Sequence, residues 1–292
     1  MSTSVAIGIF DGVHAGHQQI LSEAARHGRV TALTFYPHPT SVFAPERVPT
    51  SLLSLEDRIS FLEKHGAAEV VVIEFTKDFA SKTPDEFIDQ VLVGQLSATH
   101  VTVGSNFTFG HKAAGDVAYL QKNAHGFEVS SVHLEESRGS AISSTRIRNL
   151  IVDGDIERAN ELLTRPYFLK APVVHGEKRG REIGYPTANL GLTDNPTIPA
   201  DGIYAGWLNI DGHRYQAAIS IGTNPTFPGV RGRQVEAYAI GEKDLDLYDH
   251  IATLEFISRT RDTLKFDSLD SLLAQMAQDC LDVSKILGKS HA

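Results

Sequence analysis

Short apolar runs alternate with helical spacing through the first half of the chain. Residues 5–10 (VAIGIF) read as a buried strand. Residues 14–26 follow with Ile20, Leu21, Ala24 and Ala25 on one helical face and Gly28 as a stop. A second strand is predicted over 29–37, a helix over 54–65 closed by Gly66, and a third strand over 69–75. Thr83, Pro84 and Glu86 combine a cap, a proline at the first helical position and a glutamate three residues after the cap. That set marks a helix start. Strands at 100–104 and 127–134 complete the series. Strand–helix alternation at this pitch predicts an α/β domain with a parallel sheet and helices on both faces.

The rhythm changes after a short helical segment at 155–163. Five apolar-alternating runs then follow, at 169–176, 202–210, 213–222, 234–240 and 250–260. Asp211–Gly212 between two of them is a hairpin signal. Short strands with glycine and proline turns predict a small antiparallel barrel. The last segment, 268–287, is an amphipathic helix with Leu269, Leu272, Leu273, Met276, Cys280, Val283 and Leu287 on one stripe. Asp267 is placed to cap it and Gly288 to end it.

At 292 residues, the chain is long enough for two cores. A net charge of −9 argues against nucleic acid or an anionic membrane as partner, since neither half carries a basic excess. No run approaches a membrane span. The single cysteine, Cys280, permits no intrachain disulfide, and the N-terminus shows no basic flank or cleavage site. A reducing, cytoplasmic location is the expectation.

Two segments concentrate chemistry. In GIFDGVHAGHQQIL (8–21), a strand runs through Gly8, Phe10 and Gly12 into a helix that begins with His14 and His17. A parallel strand delivers the next helix N-terminus to the sheet edge where anions bind. Two imidazoles there can stabilise charge on a phosphate. A zinc pair finds no support, because no third ligand stands at a usual spacing. GxFDGxHxGH resembles the signature of the nucleotidyltransferase superfamily with an HxGH motif. The resemblance implies a Rossmann-like domain that attacks an α-phosphate and releases pyrophosphate. The superfamily's second motif is matched by ISSTRIR (142–148), where Ser144, Thr145 and Arg148 would hold the triphosphate tail. By the same resemblance Asn106 and Phe109 in VGSNFTFG would line a flavin cleft.

The second segment is VVHGEKRGREIGYPTANL (173–190). Gly176, Gly180 and Gly184 with Lys178, Arg179 and Arg181 form a basic glycine-rich loop suited to phosphates. Thr187 and Asn189 alternate onto one strand face and offer hard oxygen ligands suited to Mg²⁺. GxPTAN, including Pro186, closely resembles the riboflavin kinase family, and so do 201–208, 220–227 and 234–238. That family implies a six-stranded barrel, and it makes Glu236 the general base for a ribityl hydroxyl.

In this order, the two resemblances match the bacterial bifunctional riboflavin kinase/FAD synthetase family. They imply an adenylyltransferase domain at 1–165 and a kinase domain at 166–292. The implied partners are riboflavin, ATP, FMN and FAD, with Mg²⁺ as cofactor. The alternative is a riboflavin kinase whose N-terminal domain only binds flavin nucleotide.

Overall fold

A computed structural model describes residues 2–133, 136–137, 140–175, 184–222, 233–242, 245 and 247–289. Gly176, Lys178, Arg179, Gly180, Arg181 and residues 223–227 lie outside the described residues. Contacts divide the chain into two compact units, Met1–Ser144 and Thr145–Ala292.

In the first unit β1 (Thr3–Ile7), β2 (Arg29–Tyr36), β3 (Glu69–Glu74) and β4 (His100–Gly104) are followed by the short pair β5 (Thr108–Phe109) and β6 (Gly115–Asp116). Then come β7 (Glu128–Val132) and the small hairpin β8 (Glu136–Ser137) and β9 (Ser140–Ala141). The main sheet has five strands in the order β3-β2-β1-β4-β7, all parallel, as the strand–helix alternation predicts. Its core face carries Val5, Ile7, Leu33, Phe35, Val101 and Val103, packed against Ile88, Val91, Leu92 and Leu120. The alternate positions are small or polar: Ser4, Ala6, Ala32, Thr34 and Thr102, all fully buried. Small side chains let the helix Ala15–Ala25 lie close over β1, β2, β4 and β7. The capping box at Thr83 and Glu86 forms with both reciprocal bonds, at 3.2 and 2.7 Å.

The first strand stops earlier than its apolar run. After Ile7 only the Gly8 amide still reaches back, to the Leu33 carbonyl at 3.1 Å. Phe10, Gly12 and Val13 then take positive φ values of 54°, 89° and 40°. Left-handed backbone cannot continue a ladder, so GIFDGV becomes a turn although half of it is apolar.

The second unit holds β10 (Tyr167–Val174), β11 (Thr187–Leu190), β12 (Gly202–Ile210), β13 (His213–Gly222), β14 (Gln234–Ala239) and β15 (Ile251–Arg261). They close into an antiparallel barrel in the order β10-β11-β14-β13-β12-β15. Asp211 and Gly212 turn the hairpin with φ of 49° and 77°. The helix Ile156–Leu163 packs on β10 and β15. The helix Leu269–Lys289 crosses β12, β13 and β15, burying Val283 and Leu287 against Ala205 and Trp207. Its cap is Ser268, not Asp267: the Ser268 hydroxyl accepts from the Ser271 amide at 3.2 Å, a reach that Asp267 is one residue too early to make. Gly288 does not end the helix, which runs on to Lys289. Leu287 is fully buried just before it and holds that turn.

Candidate active sites

The first site grows from the turn after β1. The buried Asp11 carboxylate accepts from the Leu52 amide at 3.0 and 3.2 Å and from the Leu53 amide at 3.2 Å. From the helix Leu55–Lys64, the buried Arg58 guanidinium donates to the Ile9 carbonyl at 3.0 Å and the Phe35 carbonyl at 3.2 Å. The Thr34 hydroxyl donates to the same Ile9 carbonyl at 2.9 Å. The turn is therefore gripped from both sides. Space at Gly8 is tight, since a Cβ would stand 3.0 Å from the buried Phe10 ring and the ring would have to shift.

This grip sets His14 at the N-cap of the helix Ala15–Ala25 and His17 in its first turn. Their rings stack at 3.6 Å with an interplanar angle of 19°. The Phe10 ring is fully buried and meets His17 edge-on at 5.2 Å. His14 is buried, and the Nδ1 of half-buried His17 is buried without a hydrogen-bond partner. Burial, then the neighbouring His14 and Arg58, hold the His17 pKa well below its ordinary value. Neutral imidazole at the positive end of a helix with no acidic residue in its first turn suits a phosphate. The Ser144 hydroxyl donates to the Asp11 carbonyl at 2.8 Å. Ser144 begins the helix Ser144–Asp153, on which Thr145 is exposed and Arg148 half-buried.

Gly8 and Ile9 also line a cavity of about 710 Å³. Its walls are aromatic: Phe35, Phe75, Phe79, Phe87, Phe107 and Phe109. Phe107 and Phe109 stack at 5.5 Å and 12°, and Phe75 meets Phe79 edge-on at 5.6 Å. Lys82, His111 and Lys112 add polar and cationic groups. Aromatic walls of this kind suit a flat aromatic ligand, and the cationic groups suit negative charge on it. Phe109 is in this wall, whereas Asn106 is exposed and does not line it.

The second site lies across β11 and β14. Register pairs Thr187 with Tyr238 and Asn189 with Glu236. The Thr187 hydroxyl donates to Glu236 Oε2 at 3.1 Å. Alternation buries Val235 and Ala237 and turns Glu236 and Tyr238 to the other face. There Thr187, Glu236, Tyr185 and Tyr238 line a cavity of about 270 Å³, closed by Leu272, Met276 and Cys280 of the C-terminal helix. Burial pushes the Tyr238 hydroxyl and the Cys280 thiol up. Gly184, with φ of 85°, and Pro186 lead the chain into β11. Among the described residues no cluster of three His, Cys, Asp or Glu could hold a metal.

Residues 1–146 match the family described as FAD synthetase, and residues 163–287 match the family described as riboflavin kinase. A bifunctional riboflavin kinase/FMN adenylyltransferase from Listeria monocytogenes is 37% identical over 98% of this chain and 92% of its own length. The protein of that name from Bacillus subtilis is 35% identical over 94% of this chain and 89% of its own. The chain belongs to the bifunctional riboflavin kinase/FMN adenylyltransferase family. A solved structure described as a macrolide-efflux protein from Streptococcus pneumoniae is 35% identical and superposes with a TM-score of 0.86, over 95% of this chain and 92% of that one. No helix among the described residues is long and apolar enough to cross a membrane.

Read as a member of this family, the chain carries parts that its motifs alone do not reveal. Arg58 stands four residues before buried Leu62, on the buried side of its helix. A lone cation on an apolar stripe is the sequence signal for such a role. The aromatic wall gathers phenylalanines from β2, from residues 75–87 and from the β4–β5 loop, a convergence no local pattern announces. The stripe of the last helix reads as core in the sequence. The structure splits it: Val283 and Leu287 are core, while Leu272, Met276 and Cys280 face the kinase cavity.

Proposed function

We propose that the chain phosphorylates riboflavin to FMN in its barrel and adenylates FMN to FAD in its parallel-sheet domain, consuming one ATP in each step and releasing pyrophosphate in the second. The reading rests on one observation above others: both family domains occur in one chain, and each contains a cavity, lined in part by Gly8 and Phe109 in the first and by Thr187 and Glu236 in the second. We assign residues 166–292 to phosphorylation and 1–165 to adenylation, and place both in the cytoplasm.

In phosphorylation, Glu236 accepts the proton of the ribityl 5′-hydroxyl as that oxygen attacks the γ-phosphate. The Thr187 hydroxyl orients the carboxylate through their hydrogen bond. Asn189, directly opposite Glu236, and Thr187, diagonal to it, offer hard oxygens that fit Mg²⁺ carried in on ATP. When bound, Mg²⁺ supplies charge neutralisation between phosphate oxygens. The loop bearing Gly176, Gly180 and Gly184, followed by Pro186, wraps the ATP phosphates.

In adenylation, the flavin ring of FMN lies in the phenylalanine-walled cavity and its phosphate attacks the α-phosphate of ATP. His14 and His17 donate to the oxygens on which charge develops, and the helix N-terminus adds its dipole. Gly8, Phe10 and Gly12 bring backbone close to the nucleotide. Ser144, Thr145 and Arg148 hold the departing pyrophosphate; Phe109 contacts the flavin ring, and Asn106, exposed outside the cavity wall, contacts FMN beyond the ring.

The test is incubation with riboflavin, ATP and Mg²⁺, followed by chromatographic separation of the flavins. FMN appearing first and FAD later is the expected outcome. FMN alone favours a binding-only N-terminal domain. FAD formed from supplied FMN, with riboflavin untouched, removes the kinase roles.

A further inference from the structure

The turn that delivers His14 stores backbone strain. Val13, the residue just before it, has φ of 40°. Glycine accepts that region freely, but a β-branched side chain crowds its own backbone there. Val13 is also fully buried, so only neighbouring protein groups hold it. A residue kept in such a conformation is over-determined by its surroundings, and sites that need fixed geometry are where such residues gather.

Two hydrogen bonds do the holding. On one side the Val13 amide donates to the Phe10 carbonyl at 3.1 Å and closes a turn over Phe10–Val13. On the other side the Val13 carbonyl accepts from the side-chain amide of Gln18 at 2.9 Å. That carbonyl lies outside the ladder of the helix Ala15–Ala25, whose first bonds run from the His17 and Gln18 amides to the His14 carbonyl at 2.8 and 3.0 Å. Gln18 thus uses its backbone to build the helix start and its side chain to take the oxygen one residue before it. Its own position is secure, because Ile20 and Leu21 bury the helix against the sheet.

The Val13 carbonyl and the His14 amide belong to one peptide plane. Rotating that plane toward ordinary backbone for Val13 swings the His14 Cα and the ring it bears. The His14 ring is buried and stacks on His17 at 3.6 Å, so a small rotation breaks the pair. A donor that meets developing charge works only if it is in place beforehand, and a shift of about 1 Å can cost about 10²-fold.

We propose that Gln18 is a positioning residue for adenylation: by holding the Val13 carbonyl it locks the strained peptide before His14 and so aims the His14 ring at the α-phosphate. The proposal rests on the assignment of this turn to adenylyl transfer.

The experiment follows conversion of FMN and ATP to FAD by wild type, Gln18→Met and Gln18→Lys. Gln18→Met keeps the length and bulk of the side chain and removes the donor. Its kcat should fall roughly tenfold. Its KM for FMN should stay at the wild-type value, because the phenylalanine wall is built from other segments. Gln18→Lys carries an ammonium that can reach the same carbonyl and should recover part of the lost rate. The deciding comparison adds Gln18→Met to a His14→Asn background, read in single turnover with enzyme in excess over FMN. If Gln18 acts through His14, the added substitution should slow that background by no more than about twofold. Riboflavin phosphorylation, assigned to the other domain, should stay at the wild-type rate throughout. An unchanged kcat in Gln18→Met, a loss carried by the FMN KM, no recovery in Gln18→Lys, or the full loss persisting in the His14→Asn background overturns the role of Gln18. His17→Ala is run alongside. Full adenylation by that variant removes the assignment of the site itself, whereas its loss with indifferent Gln18 variants removes only the present inference.

Discussion

The two cavities position their reacting groups by different means. In the parallel-sheet domain everything hangs from one turn. Residues 8–14 leave β1 with left-handed backbone at Phe10, Gly12 and Val13, and Arg58, Thr34 and the Leu52 amide, which holds Asp11, clamp that departure from distant parts of the chain. In the barrel no turn is decisive. Thr187, Asn189 and Glu236 are placed by strand register, so each position is fixed by the hydrogen-bonded ladder around it. One site is a few residues under local constraint, and the other is spread over five of the six barrel strands. This suggests that substitutions in the first propagate through the turn, while those in the second stay local as long as the ladder closes.

The largest effect that tests this contrast comes from Glu236→Ala. Removing a general base should cost phosphorylation roughly 10²–10⁴-fold. Because Val235 and Ala237 keep the strand in place, adenylation of supplied FMN and the thermal midpoint should hardly change. Loss of both activities in a folded variant would mean that the register does not isolate the site.

His17→Ala comes next. Loss of one donor to the developing charge should slow adenylation about 10²–10³-fold while riboflavin phosphorylation persists. Unlike Glu236, His17 packs on two rings of its own site, His14 and Phe10, so this variant should also lower the melting midpoint of the N-terminal domain. A variant that loses activity without any shift in melting would contradict the coupled-turn picture.

A smaller effect follows from the titration of the same ring. Burial, His14 and Arg58 hold the folded pKa of His17 well below the value of about 6.5 expected in the unfolded chain. Between those values the unfolded state binds a proton that the native state does not, so stability rises with pH across that window. Above about pH 6.5 the contribution is complete, and it is lost as pH falls further. His100 adds the same sign, through burial and then its neighbour His27. Denaturant midpoints of the N-terminal domain should fall from about pH 7 to about pH 5.5, and the slope should be shallower in His17→Ala. Equal slopes in the two proteins would show that folding does not lower the His17 pKa.

Legibility in the sequence follows the same division. The parallel strands are readable as short apolar runs, since both faces of their sheet are buried, the barrel strands because one-face burial writes itself as alternation, and the Asp211–Gly212 turn because only a few residues accept its backbone. The motif residues are readable because phosphate chemistry demands particular side chains at short spacing. The early end of β1 is not readable: Ile9 and Phe10 are as apolar as a strand, and only long-range contacts decide their backbone. Arg58 and the phenylalanine wall are likewise hidden, since each acquires its partners from segments far away in the chain. Whether the last helix buries a residue or offers it to the cavity depends on where the barrel beneath it is filled. Helical spacing alone treats Leu272 and Leu287 alike.

The smallest effect is the most discriminating for the barrel. Ser268 caps the helix whose first turns carry Leu272 and Met276 over the kinase cavity. Ser268→Ala should cost about 1 kcal/mol of helix-end stability. The far end of that helix is held independently by buried Val283 and Leu287, and its middle by the Arg261–Asp279 pair, so the loss should stay in the first turn. If the barrel positions its groups locally, the riboflavin KM should rise modestly, with the ATP KM and kcat unmoved, because Thr187 and Glu236 sit on strands that the first turn does not support. A fall in kcat of the same size would show instead that the helix start governs the register of β14. The barrel would then be as tightly coupled as the turn in the other domain.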